Sequence, residues 1–182
     1  MRGICFIEPL FLATVDGRKK MTRRRPDKSG KPKYHVDEVL YLKETYGYSG
    51  ACEPGELVVY KYGLSFNELV AYAKGGMCEL HDGWRNKLYM PARAARYFIR
   101  ITAVRMERLQ EITEADCMKE GIRRLGEKAD FNYYHGVGER HFNAPREAFA
   151  ALIDITCGRG TWESNSQVAV YEFELTDKPI TL

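Results

Sequence analysis

At 182 residues and 45% apolar content, the chain can bury one substantial core, and a single domain over 1–182 with loop insertions at about 46–95 and 123–143 is expected. No apolar run approaches the roughly 20 residues needed to cross a bilayer, and the opening Met1-Arg2-Gly3-Ile4-Cys5-Phe6 is too short in apolar character for a secretory leader, so a soluble, cytoplasmic protein with no membrane partner is expected. The net charge is only +3, so any strongly basic feature must be local.

Ile4 to Ile7 reads as a short strand. Glu8-Pro9 then opens a helix, because proline at the first helical position gives up no needed hydrogen bond. Leu10, Phe11, Ala13 and Thr14 give that helix an apolar side, and Gly17 is placed to end it in a left-handed conformation. Directly after this stop comes Gly17-Arg18-Lys19-Lys20-Met21-Thr22-Arg23-Arg24-Arg25. From Gly17 to Lys33 nine Lys or Arg stand against one acid, Asp27, a local charge of +8 that leaves the rest of the chain at −5. Such segregation favours a polyanionic partner through steering and counterion release, although a solvated basic loop has the same composition. If Lys19 to Arg23 pairs as a strand, Lys19, Met21 and Arg23 share one face and Lys20 and Thr22 the other. Lys19 and Thr22 can then act together only if the backbone turns between them.

Asp27 to Pro32 reads as a flexible polar loop. Val39 to Thr45 is a strand with Leu57 to Tyr62 as its expected partner, and a soft helix over Phe66 to Ala73 ends at Gly75-Gly76. Arg96 to Leu109 is the longest strand candidate, and its regularity makes it the expected central strand. Thr113-Glu114-Ala115-Asp116 is a near capping box, with Asp where Glu or Gln is usual, and Gly121 should close the short helix that it opens. Asn143-Ala144-Pro145 starts a second, stronger helix that Gly158 stops. Gln167 to Leu175 alternates apolar and polar as a half-buried strand does. Five or six strands with short helices and no βαβ rhythm give an α+β chain and favour a small mixed β-barrel over a parallel sheet.

Five cysteines, Cys5, Cys52, Cys78, Cys117 and Cys157, form an odd, scattered set without a Cys-x-x-Cys pair. That argues for reduced thiols. Cys78 and His81 have metal-like spacing, with Cys52 a loose third candidate, but nothing completes a set of four, so no metal and no cofactor is expected. His135 and His141 flank Gly136 and Gly138 in a polar, aromatic loop, where a surface or ligand-contact histidine is expected.

The block Gly17-Arg18-Lys19-Lys20-Met21-Thr22-Arg23, then Val39 to Glu44, Ile101-Thr102-Ala103-Val104, Ile112 to Gly121 and the closing Tyr171-Glu172-Phe173, together resemble an ASCH domain. Gly83-Trp84-Arg85 with Met90-Pro91, and Trp162-Glu163-Ser164-Asn165, resemble the longer members of phages and prophages. The resemblance implies a PUA-like β-barrel and a role in RNA binding or RNA-base chemistry. Two departures stand out: Lys20 occupies a place usually held by Thr or another small polar residue, and Asp37-Glu38 replaces the usual Gly-Asp.

Some ASCH proteins remove the acetyl group from acetylated cytidine with a Lys, a Thr and a Glu, and by similarity these fall on Lys19, Thr22 and Glu120. Ribonuclease activity also occurs in the family, and a non-enzymatic, phage-encoded accessory factor is a further alternative. The chemistry is intelligible, since a threonine hydroxyl becomes a nucleophile only when a base takes its proton. Arg18, Lys20 and Arg23 would lower the Lys19 pKa and Glu120 would raise it. Glu120 sits in the last turn of its helix, where the macrodipole disfavours an anion, a local rule broken in the manner of functional sites.

The expected partner is therefore RNA or a modified nucleoside, with Arg18, Lys20, Arg23, Arg24, Arg25 and Arg85 as its cationic contacts. No protein partner is indicated. Tyr34, Tyr41, Tyr46, Tyr89, Tyr133 and Tyr134 are interspersed with Lys87 and Arg93, a mixture suited to stacking unpaired bases. Trp84, read as part of a loop next to Arg85, is the preferred stacking residue. Trp162 is expected to be an anchor that closes the barrel.

Overall fold

In the computed structural model, which describes residues 1–49, 57–62, 80–126, 132–138 and 140–179, the strand Phe98–Arg108 (β7) sits at the centre of a five-stranded sheet. Its neighbours are β3 (Val39–Lys43) on one side and β10 (Gln167–Thr176) on the other, both antiparallel. The edges are β1 (Gly3–Cys5), parallel to β3, and β2 (Met21–Arg24), antiparallel to β10, in the order β1-β3-β7-β10-β2. β4 (Tyr46–Ser49), β5 (Leu57–Tyr60) and β6 (Leu80–Arg85) make a second sheet, and β8 (Arg123–Leu125) with β9 (Asn132–Tyr134) a third. With α1 (Glu8–Val15), α2 (Glu114–Lys119) and α3 (Pro145–Cys157), the architecture is mixed α+β. Among the described residues no backbone ladder joins β1 to β2, so the main sheet is open.

The stretch expected from Leu57 to Tyr62 as the partner of Val39 to Thr45 pairs instead with β4, in the register Tyr46↔Tyr60. The reason is occupancy: both hydrogen-bonding edges of β3 are taken, by β1 and β7. Trp84 and Arg85, expected in a loop, are the last two residues of β6, where Gly83 at φ +71 kinks the strand. The expected helix over Phe66 to Ala73 and the Cys52 and Cys78 positions lie outside the described residues. Cys5, Cys117 and Cys157 are free thiols.

β10 departs from the half-buried pattern expected of it. Ala169, Tyr171 and Phe173 pack into one core with Ile4, Phe11, Leu42 and Ile101, while Val168 and Val170 pack into another with Met21, Phe149 and Leu152. The period of 2 is present, but α3 lies over Val168 and Val170, so both sides are buried from Val168 to Tyr171, while Glu174 is exposed. Trp162 lies in a turn, edge-on to Phe149 at 6.1 Å between ring centres. Asp27 to Pro32 is more ordered than its composition suggests, because Asp27 Oδ1 accepts hydrogen bonds from the Ser29 backbone, the Ser29 hydroxyl and the Lys31 backbone. Such an Asx turn replaces solvent with local donors.

Candidate functional site

α1 ends as its sequence demands. Gly17 takes φ +72, and the Arg18 and Lys19 N–H groups both donate to Ala13 O, at 2.9 and 2.8 Å. The turn lies at Asp16–Gly17 and β2 begins only at Met21, so Lys19 precedes the strand and is not bound by its alternation. Both side chains line one cleft of about 200 Å³. Its walls come from the two edges of the open sheet, Cys5 to Ile7 at the end of β1 and Thr22 to Arg24 on β2, and from Phe149, Leu152 and Ile153 on α3.

Lys19 is buried, and its Nζ donates to Met21 O at 2.7 Å, Glu120 O at 2.9 Å and Glu120 Oε2 at 2.6 Å. Three acceptors match the three protons of an ammonium. Burial lowers the Lys19 pKa from its ordinary value; Glu120 opposes this, and the Arg24 and Arg23 charges add to it. The sequence left the sign of this shift open, and desolvation decides it.

Glu120 caps the C-terminus of α2 and is itself buried. The unfavourable end of the helix is outweighed by two cations, for its other oxygen, Oε1, accepts from Arg23 Nη1 at 3.0 Å. The Arg23 guanidinium also bonds Glu107 at 2.6 Å and Asp116 at 3.0 Å, and its Nη1 donates to Met21 Sδ at 3.3 Å. Arg105 then bonds Asp116 at 2.7 Å and Glu172 at 3.0 Å, extending the alternation of charge to the surface. The Asp116 backbone N–H is capped by Thr113 Oγ1 at 3.1 Å, while its carboxylate serves Arg23 and Arg105 rather than a capping box.

The basic block is thus divided by burial. Lys19 and Arg23 face inward and are neutralised, whereas Arg18, Lys20 and Arg25 are exposed. Lys20 lines a different groove, with Lys119, Glu172 and Glu174. Arg24 lines the Lys19 cleft: its Nη2 donates to Cys5 O at 2.6 Å, tying the two edge strands together, and its Cζ lies 5.2 Å from the Phe6 ring centre. The Arg24 Nε is buried and has no hydrogen-bond partner. The Thr22 hydroxyl makes no side-chain hydrogen bond to a described residue.

Trp84 and Arg85 are not among the residues that line this cleft; Arg85 lies over the Tyr48 ring at 4.6 Å in the second sheet. Lys87 is, and the sequence marked it only as one of the cations interspersed with the tyrosines. Its Nζ donates to Phe6 O at 2.7 Å and to the Tyr62 hydroxyl at 3.2 Å, which carries the second sheet to the cleft rim. Cys157 and Thr156 join the lining from the last turn of α3. Cys117, on α2, is set apart from any such role, since burial pushes its thiol up to about 12. His135, expected at a surface or ligand contact, is buried, and His141 is exposed. No protein-family model matches the chain, and neither a curated protein nor a solved structure matches it.

Proposed function

We propose that the chain is an ASCH-type, PUA-like domain that binds RNA or a modified nucleoside and hydrolyses the acyl amide of an acetylated cytidine. The observation that carries this reading is the 2.6 Å Lys19–Glu120 pair, buried beside an unbonded Thr22 hydroxyl in a cleft with an unpartnered Arg24 Nε–H. The edge strands that flank the cleft, bridged by Arg24, support a barrel left open where the ligand enters.

Lys19 begins as an ammonium and passes a proton to Glu120 Oε2, the shortest of its three contacts. The neutral amine then takes the Thr22 proton as the Thr22 Oγ1–carbon bond forms at the amide carbonyl. Arg24 lines the cleft and shares a face of β2 with Thr22; its charge favours the negative oxygen that develops, and its unpartnered Nε–H donates to that oxygen once the guanidinium turns outward. Collapse breaks the carbon–nitrogen bond, and the new Lys19 ammonium returns the proton to the base nitrogen. Lys19 then takes a proton from water as it adds to the acetyl-threonine ester and passes it to the departing Thr22 oxygen; Glu120 returns its proton to Lys19, and the acetic acid released ionises to acetate in solution.

Incubation with acetylated cytidine, with cytidine and acetate followed together, tests this. The wild-type protein releases both in equal amounts, and Thr22→Val lowers turnover by about a thousandfold or more. The melting temperature of Thr22→Val stays close to that of the wild type, because the lost hydroxyl held no hydrogen bond to a described side chain. Full activity in Thr22→Val rules out the nucleophile. A second reading, binding without turnover, is favoured by the saturation of all three Lys19 donors, and it stands if RNA binds while no cytidine appears at high protein concentration.

A further inference from the structure

A second groove, of about 370 Å³, runs between α1 and the β8–β9 hairpin. It adjoins the cleft through consecutive residues: Arg18 and Gly121 line it, while Lys19 and Glu120 line the cleft, and Leu10 borders both. Its deepest feature is His135, which is 1% exposed. The His135 Nδ1 accepts the Val137 backbone N–H at 3.1 Å, so the neutral ring carries its proton on Nε2. That Nε2 is buried without a hydrogen-bond partner.

An unpaired buried donor is costly, and because this Nε2 has no exposed surface it meets a ligand only when the ring turns toward the groove that His135 lines. Cations line the same groove. Arg123 is exposed and lies 5.4 Å from the Tyr134 ring centre, and Arg18 is held by Asp16 in an exposed pair at 3.0 Å. An exposed pair of this kind contributes little and exchanges readily for a more highly charged anion. Glu8 and Asp16 also border the groove, so the charge there is mixed. That mixture does not suit a free anion as well as a nucleotide, whose phosphate meets Arg18 and Arg123 while a base or sugar oxygen accepts from His135 once its ring has turned outward.

We propose that this groove is a subsite for the nucleotide flanking the base held in the Lys19 cleft, which makes the substrate an RNA strand rather than a free nucleoside. The inference rests on the reading of the Lys19 cleft as a nucleobase site, and it adds the class of substrate. A cleft of about 200 Å³ holds little more than one acylated base, so the neighbouring nucleotide must lie outside it.

The test compares free acetylcytidine with a short single-stranded RNA that carries one acetylcytidine, by kcat/KM and by direct binding of the same labelled RNA. Wild-type protein prefers the RNA by roughly tenfold or more, the scale of one charge-assisted hydrogen bond. Arg123→Ala, at an exposed position, and His135→Gln, which keeps an amide N–H near the same place, separate the two contacts. Arg123→Ala collapses the ratio of RNA to nucleoside, and His135→Gln retains more of it than His135→Phe does. An equal preference for RNA in wild type and Arg123→Ala overturns the subsite, as does a wild-type protein without preference. RNA binding that depends on Arg123, with no deacetylation, upholds the subsite and removes the chemistry of the cleft. Binding of neither probe overturns both.

Discussion

Glu120 shows how burial changes the meaning of one substitution. A carboxylate at an exposed helix end could become glutamine at almost no cost, yet this one balances Lys19 and Arg23, both inside the protein. Glu120→Gln leaves buried cations undercompensated and should destabilise the fold by about 3 kcal/mol, the lower end for breaking a buried pair. For a chain of this size that lowers the melting temperature by roughly 6–12 °C in a thermal unfolding experiment. A double-mutant cycle with Lys19→Met should show the two losses to be far from additive. His135 gives a second test at this scale. Burial, reinforced by the Arg140 charge, holds its pKa below the ordinary 6.5, so the unfolded chain binds more protons between that lowered value and pH 6.5. Its contribution to stability is complete above pH 6.5 and disappears as pH falls through the lowered pKa. His135→Gln should therefore flatten the fall of melting temperature below pH 6.5, measured as a difference from wild type.

Between elements, the joint that matters is the one linking the two larger sheets. Glu44 follows β3 and is fully buried, and the Arg96 guanidinium, placed just before β7, grips both of its oxygens at 2.8 and 2.7 Å. Arg96 also donates to Tyr62 O at 3.0 Å, beyond the end of β5, and lies 4.3 Å from the Tyr60 ring centre. Burial raises the Glu44 pKa even against the Arg96 charge. Arg96→Ala strands that carboxylate and should cost about 2–3 kcal/mol, less than a fully enclosed pair because the Arg96 side chain is a third exposed. Replacing both partners, as Glu44→Leu with Arg96→Leu, should recover much of the loss in denaturant unfolding, since neither charge is then left alone. The same joint sets Lys87 at the cleft, so the single Arg96→Ala variant should also weaken ligand binding.

For the whole molecule, the question is which cations a polyanion can reach. A count along the chain gives +8 between Gly17 and Lys33, but Lys19 and Arg23 are buried against Glu120, Glu107 and Asp116 and have no charge to offer. Arg18, Lys20 and Arg25, which flank those two along the chain, are exposed. With about three phosphate contacts, binding of single-stranded RNA should weaken with salt at a logarithmic slope of about −2. Arg25→Ala should make that slope shallower by about 0.7 while leaving stability level. Arg23→Ala, in contrast, disrupts the buried network and reports on folding. Binding indifferent to salt would remove the electrostatic role of the block.

Much of this arrangement was legible in the sequence because it depends on neighbours along the chain. Proline after Glu8 and glycine at 17 delimit α1, Pro145 and Gly158 delimit α3, and the alternation of Phe98–Arg108 marks a strand that does prove central. The family resemblance put Lys19, Thr22 and Glu120 on one list. What no local pattern contains is the pairing of residues 101 positions apart. Only the tertiary structure decided that Glu120 closes on Lys19 and that Arg23 turns inward. It also gave β5 to β4 because both edges of β3 were occupied, and set Lys87 and His135 at two adjoining grooves. The physical reason is that charge and periodicity are properties of the chain, whereas burial and partnership depend on which surfaces meet when it folds.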